Sequence, residues 1–152
     1  MHFIDLIAQR KKLGKKIDDA IISVVNSGRY VMGPEIEKLE KQLAEFSGVK
    51  HAIACSSGTD ALLLPLMAWE IGPGDAVFVP AFTFVATAEA VALTGATPVF
   101  CDVHPITYNM DVNSVELGIA KAIELGLNPK AIMPVDLFGL PADFDVIKEL
   151  AE

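Results

Sequence analysis

From His51 onward the chain alternates short, unbroken apolar runs with stretches of helical periodicity, and that rhythm admits few folds. His51 to Cys55, Ala76 to Val79, Pro98 to Asp102 and Ala131 to Val135 are brief and continuous, a pattern that predicts parallel strands covered on both faces rather than strands with one wet side. Thr59 to Glu70, Phe84 to Leu93, Val112 to Leu125 and Ala142 to Glu152 carry helical spacing between and after them. Gly72-Pro73-Gly74-Asp75 and Gly95-Ala96-Thr97-Pro98 punctuate the returns from helix to strand. The expectation is an α/β fold, a mostly parallel sheet with flanking helices joined by right-handed crossovers.

The first fifty residues follow a different rule. Ile17, Ala20, Ile21, Val24 and Val25 recur at i, i+3, i+4, and Ile36, Leu39, Leu43 and Phe46 repeat the pattern. Gly33-Pro34 divides these two helices, which makes Asn26 to Pro34 an exposed loop. The reading is therefore two segments: 1–50, helical with one prominent loop, and 51–152, α/β.

Charge and composition narrow the partners. Twelve basic against twenty acidic residues leave a net charge of −8, which disfavours nucleic acid or an anionic membrane as the main partner. The N-terminus lacks a signal-peptide pattern, and no run approaches the length of a membrane span, so the expected location is cytoplasmic. Cys55 and Cys101 end two apolar runs and have neither Cys-x-x-Cys nor zinc-like spacing; they read as reduced, buried thiols, with no metal site implied.

In an open α/β sheet, ligands bind beyond the carboxyl ends of the strands. That rule gathers Ser56 to Thr59, then Pro80, Phe82, Thr83 and Phe84, then Asp102 and His104, then Asp136 and Phe138 on one predicted rim. The turn Ser56-Ser57-Gly58-Thr59-Asp60 opens a helix, where unpaired backbone N–H groups and the helix dipole favour a phosphate and Gly58 permits close approach. An ordinary capped turn would read the same way. Asp60 suits the dipole but should point away from an anion. Neither a Walker loop nor a Gly-x-Gly-x-x-Gly fingerprint is present, which disfavours ATP and NAD. Either Phe82 or Phe84 could stack on a flat heteroaromatic ring beside the phosphate. His104 reads as a solvent-facing loop residue.

Gly58-Thr59-Asp60-Ala61-Leu62, Pro80-Ala81-Phe82-Thr83-Phe84-Val85-Ala86-Thr87, Gly95-Ala96-Thr97-Pro98-Val99-Phe100-Cys101-Asp102-Val103 and Pro134-Val135-Asp136-Leu137-Phe138-Gly139 together resemble the DegT/DnrJ/EryC1/StrS family. Phe3-Ile4-Asp5-Leu6 and Gly28-Arg29-Tyr30-Val31-Met32-Gly33-Pro34-Glu35 are similar to that family too, so the likeness spans essentially the whole chain. These are pyridoxal-phosphate sugar aminotransferases of the aspartate-aminotransferase fold. The resemblance implies the N-terminal part of a fold type I large domain. Pyridoxal 5'-phosphate would be held by Gly58, Thr59 and Asp60 at its phosphate and by Phe84 on its ring, with Phe82 a supporting core residue. Thr87 either approaches the cofactor or simply begins a helix. Arg29 and Tyr30 fall where the family's loop approaches the sugar nucleotide.

The resemblance also implies what is missing. Transamination needs a lysine that carries the cofactor as a Schiff base and moves the proton, and a carboxylate at the pyridine nitrogen. In the family both follow the segment matched here, so no catalytic residue is expected before Glu152, and Asp136 is read as a rim residue rather than the pyridinium partner. Residues 51–152 then form an incomplete cofactor domain of a longer protein, with the first strand left without its neighbour and apolar edges exposed. The implied reaction is transfer of an amino group, from glutamate, to a nucleotide-activated keto sugar in amino-sugar biosynthesis for cell-surface polysaccharide or related glycans, by a homodimer. A sugar dehydratase of the same family and a non-catalytic binding or regulatory module are the alternatives.

Overall fold

The computed structural model describes residues 4–152, so the Phe3 of the opening motif lies outside the described residues. The chain divides into two compact units, the first ending at Ala54 and the second running Cys55–Glu152.

Among the described residues the first unit contains three helices, where the periodicity predicts two. α1 (Leu6–Leu13) and α2 (Lys15–Ser27) are separated at Gly14, whose φ of 60° and ψ of −142° break the helix. Such a backbone is open to glycine and costly for other residues. Across the break, the Arg10 guanidinium donates to Gly14 O at 2.8 Å and to both Asp18 carboxylate oxygens at 2.6 Å. α2 ends on Gly28 in the left-handed conformation, and α3 (Pro34–Ser47) starts with Pro34 in its first turn, where a missing N–H costs nothing. None of the three helices buries a residue within this unit. Ile21, Val25, Leu39 and Leu43 therefore present apolar surface.

The second unit is the α/β body. Its order is α4 (Gly58–Ala68), β1 (Asp75–Pro80), α5 (Ala86–Leu93), β2 (Thr97–Cys101), α6 (Val112–Glu124), β3 (Asn128–Ile132) and α7 (Phe144–Ala151). The sheet has the order β2-β1-β3 with both pairings parallel, as expected. β1 is the central strand and is buried on both faces. Val77 and Val79 join Leu66, Ile71, Ala90, Val91 and Ala96 on one side. Ala76 and Phe78 join Cys101, Met110, Val115 and Ala122 on the other. The period of two along a strand sends alternate residues into two cores. Gly118 lets α6 lie close on the second face: a Cβ there would stand 3.3 Å from Phe78 and 3.4 Å from both Cys101 and Val99. Pro98 and Pro129 sit on the two outer strands, where proline's lost donor is tolerated.

Three expectations need correction. His51 to Cys55 is not a strand; it finds no ladder partner among the described residues, and Ile53 is 82% exposed. Apolar sequence alone does not make a strand, because an extended segment is stabilised only when its backbone groups are paired. β3 lies three residues earlier than its apolar run suggests. Asn128 and Pro129 pair with Asp75 and Ala76, and an irregularity then brings Ala131 opposite Val77. Cys55 is exposed whereas Cys101 is buried; both are free thiols.

Candidate active site

The parallel order places the exits of β1 and β3 side by side, next to the start of α4. Gly58, Thr59 and Leu62 from α4, Thr83, Phe84, Ala86 and Thr87 from the β1–α5 turn, and Pro134, Val135 and Asp136 after β3 line one cavity of about 540 Å³. That volume lies within the range of small-ligand sites.

The floor is the first turn of α4. Ser57 caps the helix, its Oγ accepting the Asp60 N–H at 3.1 Å, while the Ala61 N–H bonds Ser57 O at 3.0 Å. The N–H groups of Gly58 and Thr59 are left without an acceptor among the described residues. A Cβ placed on Gly58 would meet no atom within 4 Å, so the space over that backbone is open. Two free amides at a helix start beside open space suit a phosphate. Asp60 is absent from the cavity lining. Its N–H is taken by Ser57 and its carboxylate accepts the Ser56 hydroxyl, so its place is in shaping the turn.

Phe84 lines the cavity and is 75% exposed, leaving its ring face open. Phe82 does not belong to the core as expected. It is about half exposed and meets the Tyr108 ring at 5.7 Å between centroids, because the turn after Pro80 carries it off the sheet. Thr87 is buried, and its hydroxyl lies 3.0 Å from that of Thr83 four residues earlier. The pair forms a polar wall beside Phe84. Pro134 and Val135 stand in a motif of the family resemblance but carry no site role in the sequence reading; their place on the cavity depends on β3 lying next to β1, which no local pattern encodes.

Asp102 and His104 do not join this cavity. They follow β2, which lies on the other side of β1 from β3. The His104 ring is exposed, and its Nδ1 accepts the Ile106 and Thr107 N–H groups at 3.3 and 3.4 Å. Asp136 stands on the cavity wall, with one carboxylate oxygen accepting the Ala142 N–H at 2.9 Å. In the first unit, Arg29 donates its N–H to Ser27 Oγ at 3.1 Å, and the exposed Tyr30 donates its hydroxyl to Val25 O at 3.0 Å. Among the described residues no group of His, Cys, Asp and Glu could hold a metal, and no helix is long and apolar enough to cross a membrane.

Residues 11–152 match the model of the DegT/DnrJ/EryC1/StrS aminotransferase family. The chain belongs to this family. It is 48% identical to the UDP-2-acetamido-2-deoxy-3-oxo-D-glucuronate aminotransferase of Pseudomonas aeruginosa, over 99% of this chain and 40% of that protein. A DegT/DnrJ/EryC1/StrS aminotransferase from Brucella abortus superposes with a TM-score of 0.97 at 57% identity, over 99% of this chain and 41% of the other. NtdA from Bacillus subtilis, with bound cofactor PMP, superposes with a TM-score of 0.85 at 33% identity, over 93% of this chain and 31% of the other. The chain thus spans about two fifths of the length of the first two relatives and under a third of the third. Its fold class is the N-terminal part of a fold type I aminotransferase large domain.

Proposed function

We propose that this DegT-family chain forms the cofactor-cradling part of a pyridoxal-phosphate aminotransferase acting on a nucleotide-linked keto sugar. The observation that carries the reading is the pair of amides at Gly58 and Thr59, without an acceptor among the described residues, at a helix start that lines the same cavity as Phe84, with open space where a Gly58 Cβ would stand. Phosphate and a flat ring are the two parts of pyridoxal phosphate that these lining residues suit. The Gly58 and Thr59 N–H groups and the Thr59 hydroxyl would take the phosphate, and Phe84 would lie against the ring. Asp60 would keep the turn closed through Ser56 and Ser57.

When bound, the cofactor supplies the electron-withdrawing ring on which an amino group is received and passed on. The chain's own residues bind and orient. The α4 dipole offsets the phosphate charge, Phe84 and Leu62 limit water at the ring, and the Thr83–Thr87 pair, one hydroxyl proton spent between them, offers one further donor along the same wall. Arg29 and Tyr30 would approach the sugar nucleotide, on the family resemblance of their loop. The same resemblance supports glutamate as amino donor, a homodimer as the working unit, a cytoplasmic location and a role in making amino sugars for surface polysaccharides. The 48% identity with a 3-oxo-glucuronate aminotransferase supports a UDP-linked 3-keto sugar or uronic acid as acceptor.

The test uses the protein expressed from its full reading frame. Mixed with pyridoxal phosphate, it should develop a visible absorbance band and convert a UDP-3-keto sugar to the amino sugar with glutamate as donor. Absence of the band at saturating pyridoxal phosphate overturns the cofactor assignment; a band with no transfer to any nucleotide keto sugar overturns the substrate class.

A further inference from the structure

Asn109 lies far from the cavity in sequence, yet its side chain ties down the far end of the loop that leaves one cavity wall. The side chain is buried, 8% exposed, and its Nδ2 donates to Leu140 O at 3.1 Å and to Pro141 O at 2.9 Å. Those carbonyls close the loop that begins at the cavity wall with Pro134, Val135 and Asp136. Within the loop the bonds are local: Gly139 N–H to Asp136 O at 3.0 Å, Leu140 N–H to Leu137 O at 3.1 Å, and Ala142 N–H to Asp136 Oδ1 at 2.9 Å. Phe138 adopts a positive φ of 56°, a conformation that a non-glycine residue holds only when its surroundings enforce it. Among the described residues, Asn109 is the side chain from outside the loop that hydrogen-bonds to it.

The orientation of the amide is forced. Turning it over would set Oδ1 against two carbonyl oxygens, so both hydrogens face the loop, and Oδ1 is left buried without a partner. Asn109 is itself anchored. Its N–H donates to Thr107 Oγ1 at 3.3 Å, and its carbonyl accepts the His104 N–H at 2.9 Å, in a turn closed by the Val103–Met110 bridge.

We propose that Asn109 is a positioning residue for the cofactor site. It holds the loop base at Leu140 and Pro141 so that Asp136 stays on the wall, and the ligand meets a formed cavity rather than one it must order. This rests on the pyridoxal-phosphate reading above, because that reading makes the wall part of a binding site. Two lost hydrogen bonds predict about tenfold faster exchange at the amides of Gly139, Leu140 and Ala142, and about tenfold weaker cofactor retention.

The experiment compares the full-reading-frame protein with Asn109→Ala, Asn109→Asp and a control, Val115→Ala. The aspartate keeps the shape but offers no donor, so it should behave like the alanine. Val115 is fully buried in α6, in the core cluster that also holds Met110, and hydrogen-bonds to neither Asn109 nor the 134–142 loop; its substitution is expected to lower stability while leaving the Asn109 bonds to Leu140 and Pro141 in place. Expected for both Asn109 variants are faster exchange confined to 137–142, unchanged exchange in β1, and a higher half-saturating pyridoxal phosphate with the maximal rate retained at saturation. Val115→Ala should leave that half-saturation unchanged. Exchange that rises equally in β1 overturns the proposal and makes Asn109 a general stabiliser. Local loosening with unaltered cofactor retention overturns it too. Failure of the unmodified protein to take up pyridoxal phosphate is a different result: it overturns the functional reading and this inference together.

Discussion

Ser57 Oγ accepts the Asp60 N–H at 3.1 Å, and this single bond decides which donors α4 keeps for a ligand. One amide of the first turn is spent on the cap, while those of Gly58 and Thr59 have no acceptor among the described residues. Two substitutions separate the roles. Ser57→Ala should lower stability by about 1 kcal/mol through loss of the cap, measured by chemical denaturation. Gly58→Val should leave stability nearly unchanged, since its Cβ has room, yet weaken pyridoxal phosphate binding at least about tenfold by covering the amides. Equal cofactor affinity in Gly58→Val and the unmodified protein would remove the phosphate from this turn.

Much of this was legible in the sequence because β1 is buried on both sides: an unbroken apolar run cannot belong to a half-wet strand, and Ala76 to Val79 is nearly the whole of β1. The capped turn that opens α4 was legible for a similar local reason, since its cap, glycine and free amides are neighbours in sequence. What failed was whatever depended on a partner. His51 to Cys55 has the apolarity of a strand and no ladder to join. β3 begins at Asn128 because the Asp75 carboxylate accepts from the Asn128 side chain and Gly74 O accepts the Asn128 N–H, outweighing the polarity of Asn128-Pro129-Lys130. The break at Gly14 was missed because one glycine within a helical pattern is usually tolerated. Pro134 and Val135 reach the site only through the order of the strands, and the Asn109 tie joins residues more than thirty positions apart.

The two thiols should behave differently. Cys55 is exposed and should react quickly with a thiol reagent, whereas Cys101 should react only on unfolding. Burial pushes the Cys101 pKa from 9.0 up to about 11. In the window between those values the unfolded chain releases the proton and the folded chain retains it, so this contribution to stability is intact below pH 9.0 and declines as pH rises towards 11. Denaturation midpoints across that range should fall less in Cys101→Ala than in the unmodified protein, after allowance for the alanine's lower starting stability. Parallel slopes would contradict the burial argument.

Asp75 links the starts of β1 and β3. Its carboxylate accepts the Gly72 N–H at 3.1 Å and the Asn128 Nδ2–H at 2.9 Å, and these bonds, with nearby Lys130, hold its pKa below the ordinary 3.8. A lowered carboxylate pKa gives stability that is present above the unfolded value and is lost as pH falls through the folded one. Asn128→Ala should raise the Asp75 pKa towards 3.8, read by NMR titration of its carboxyl carbon. An unmoved titration midpoint would mean the Asn128 bond is not formed in solution.

Phe84 tests whether the ring face is used. At 75% exposure it contributes little to the core, so Phe84→Ala should change stability by no more than about 0.5 kcal/mol. The same change should weaken pyridoxal phosphate binding about tenfold if the ring lies on the cofactor, because aromatic stacking supplies roughly 0.5–1.5 kcal/mol beyond area burial. Phe84→Tyr keeps the flat face and should bind nearly as well as the unmodified protein, while Phe84→Leu keeps the apolar bulk and should not. Phe82→Ala is the matched control: its ring meets Tyr108 and is absent from the cavity lining, so cofactor affinity should hold. Equilibrium titration followed by cofactor absorbance distinguishes these cases. If Leu and Tyr at position 84 bind alike, bulk rather than stacking closes the cavity; if the Phe82 variant loses affinity instead, the stacking face belongs to the other phenylalanine of the turn.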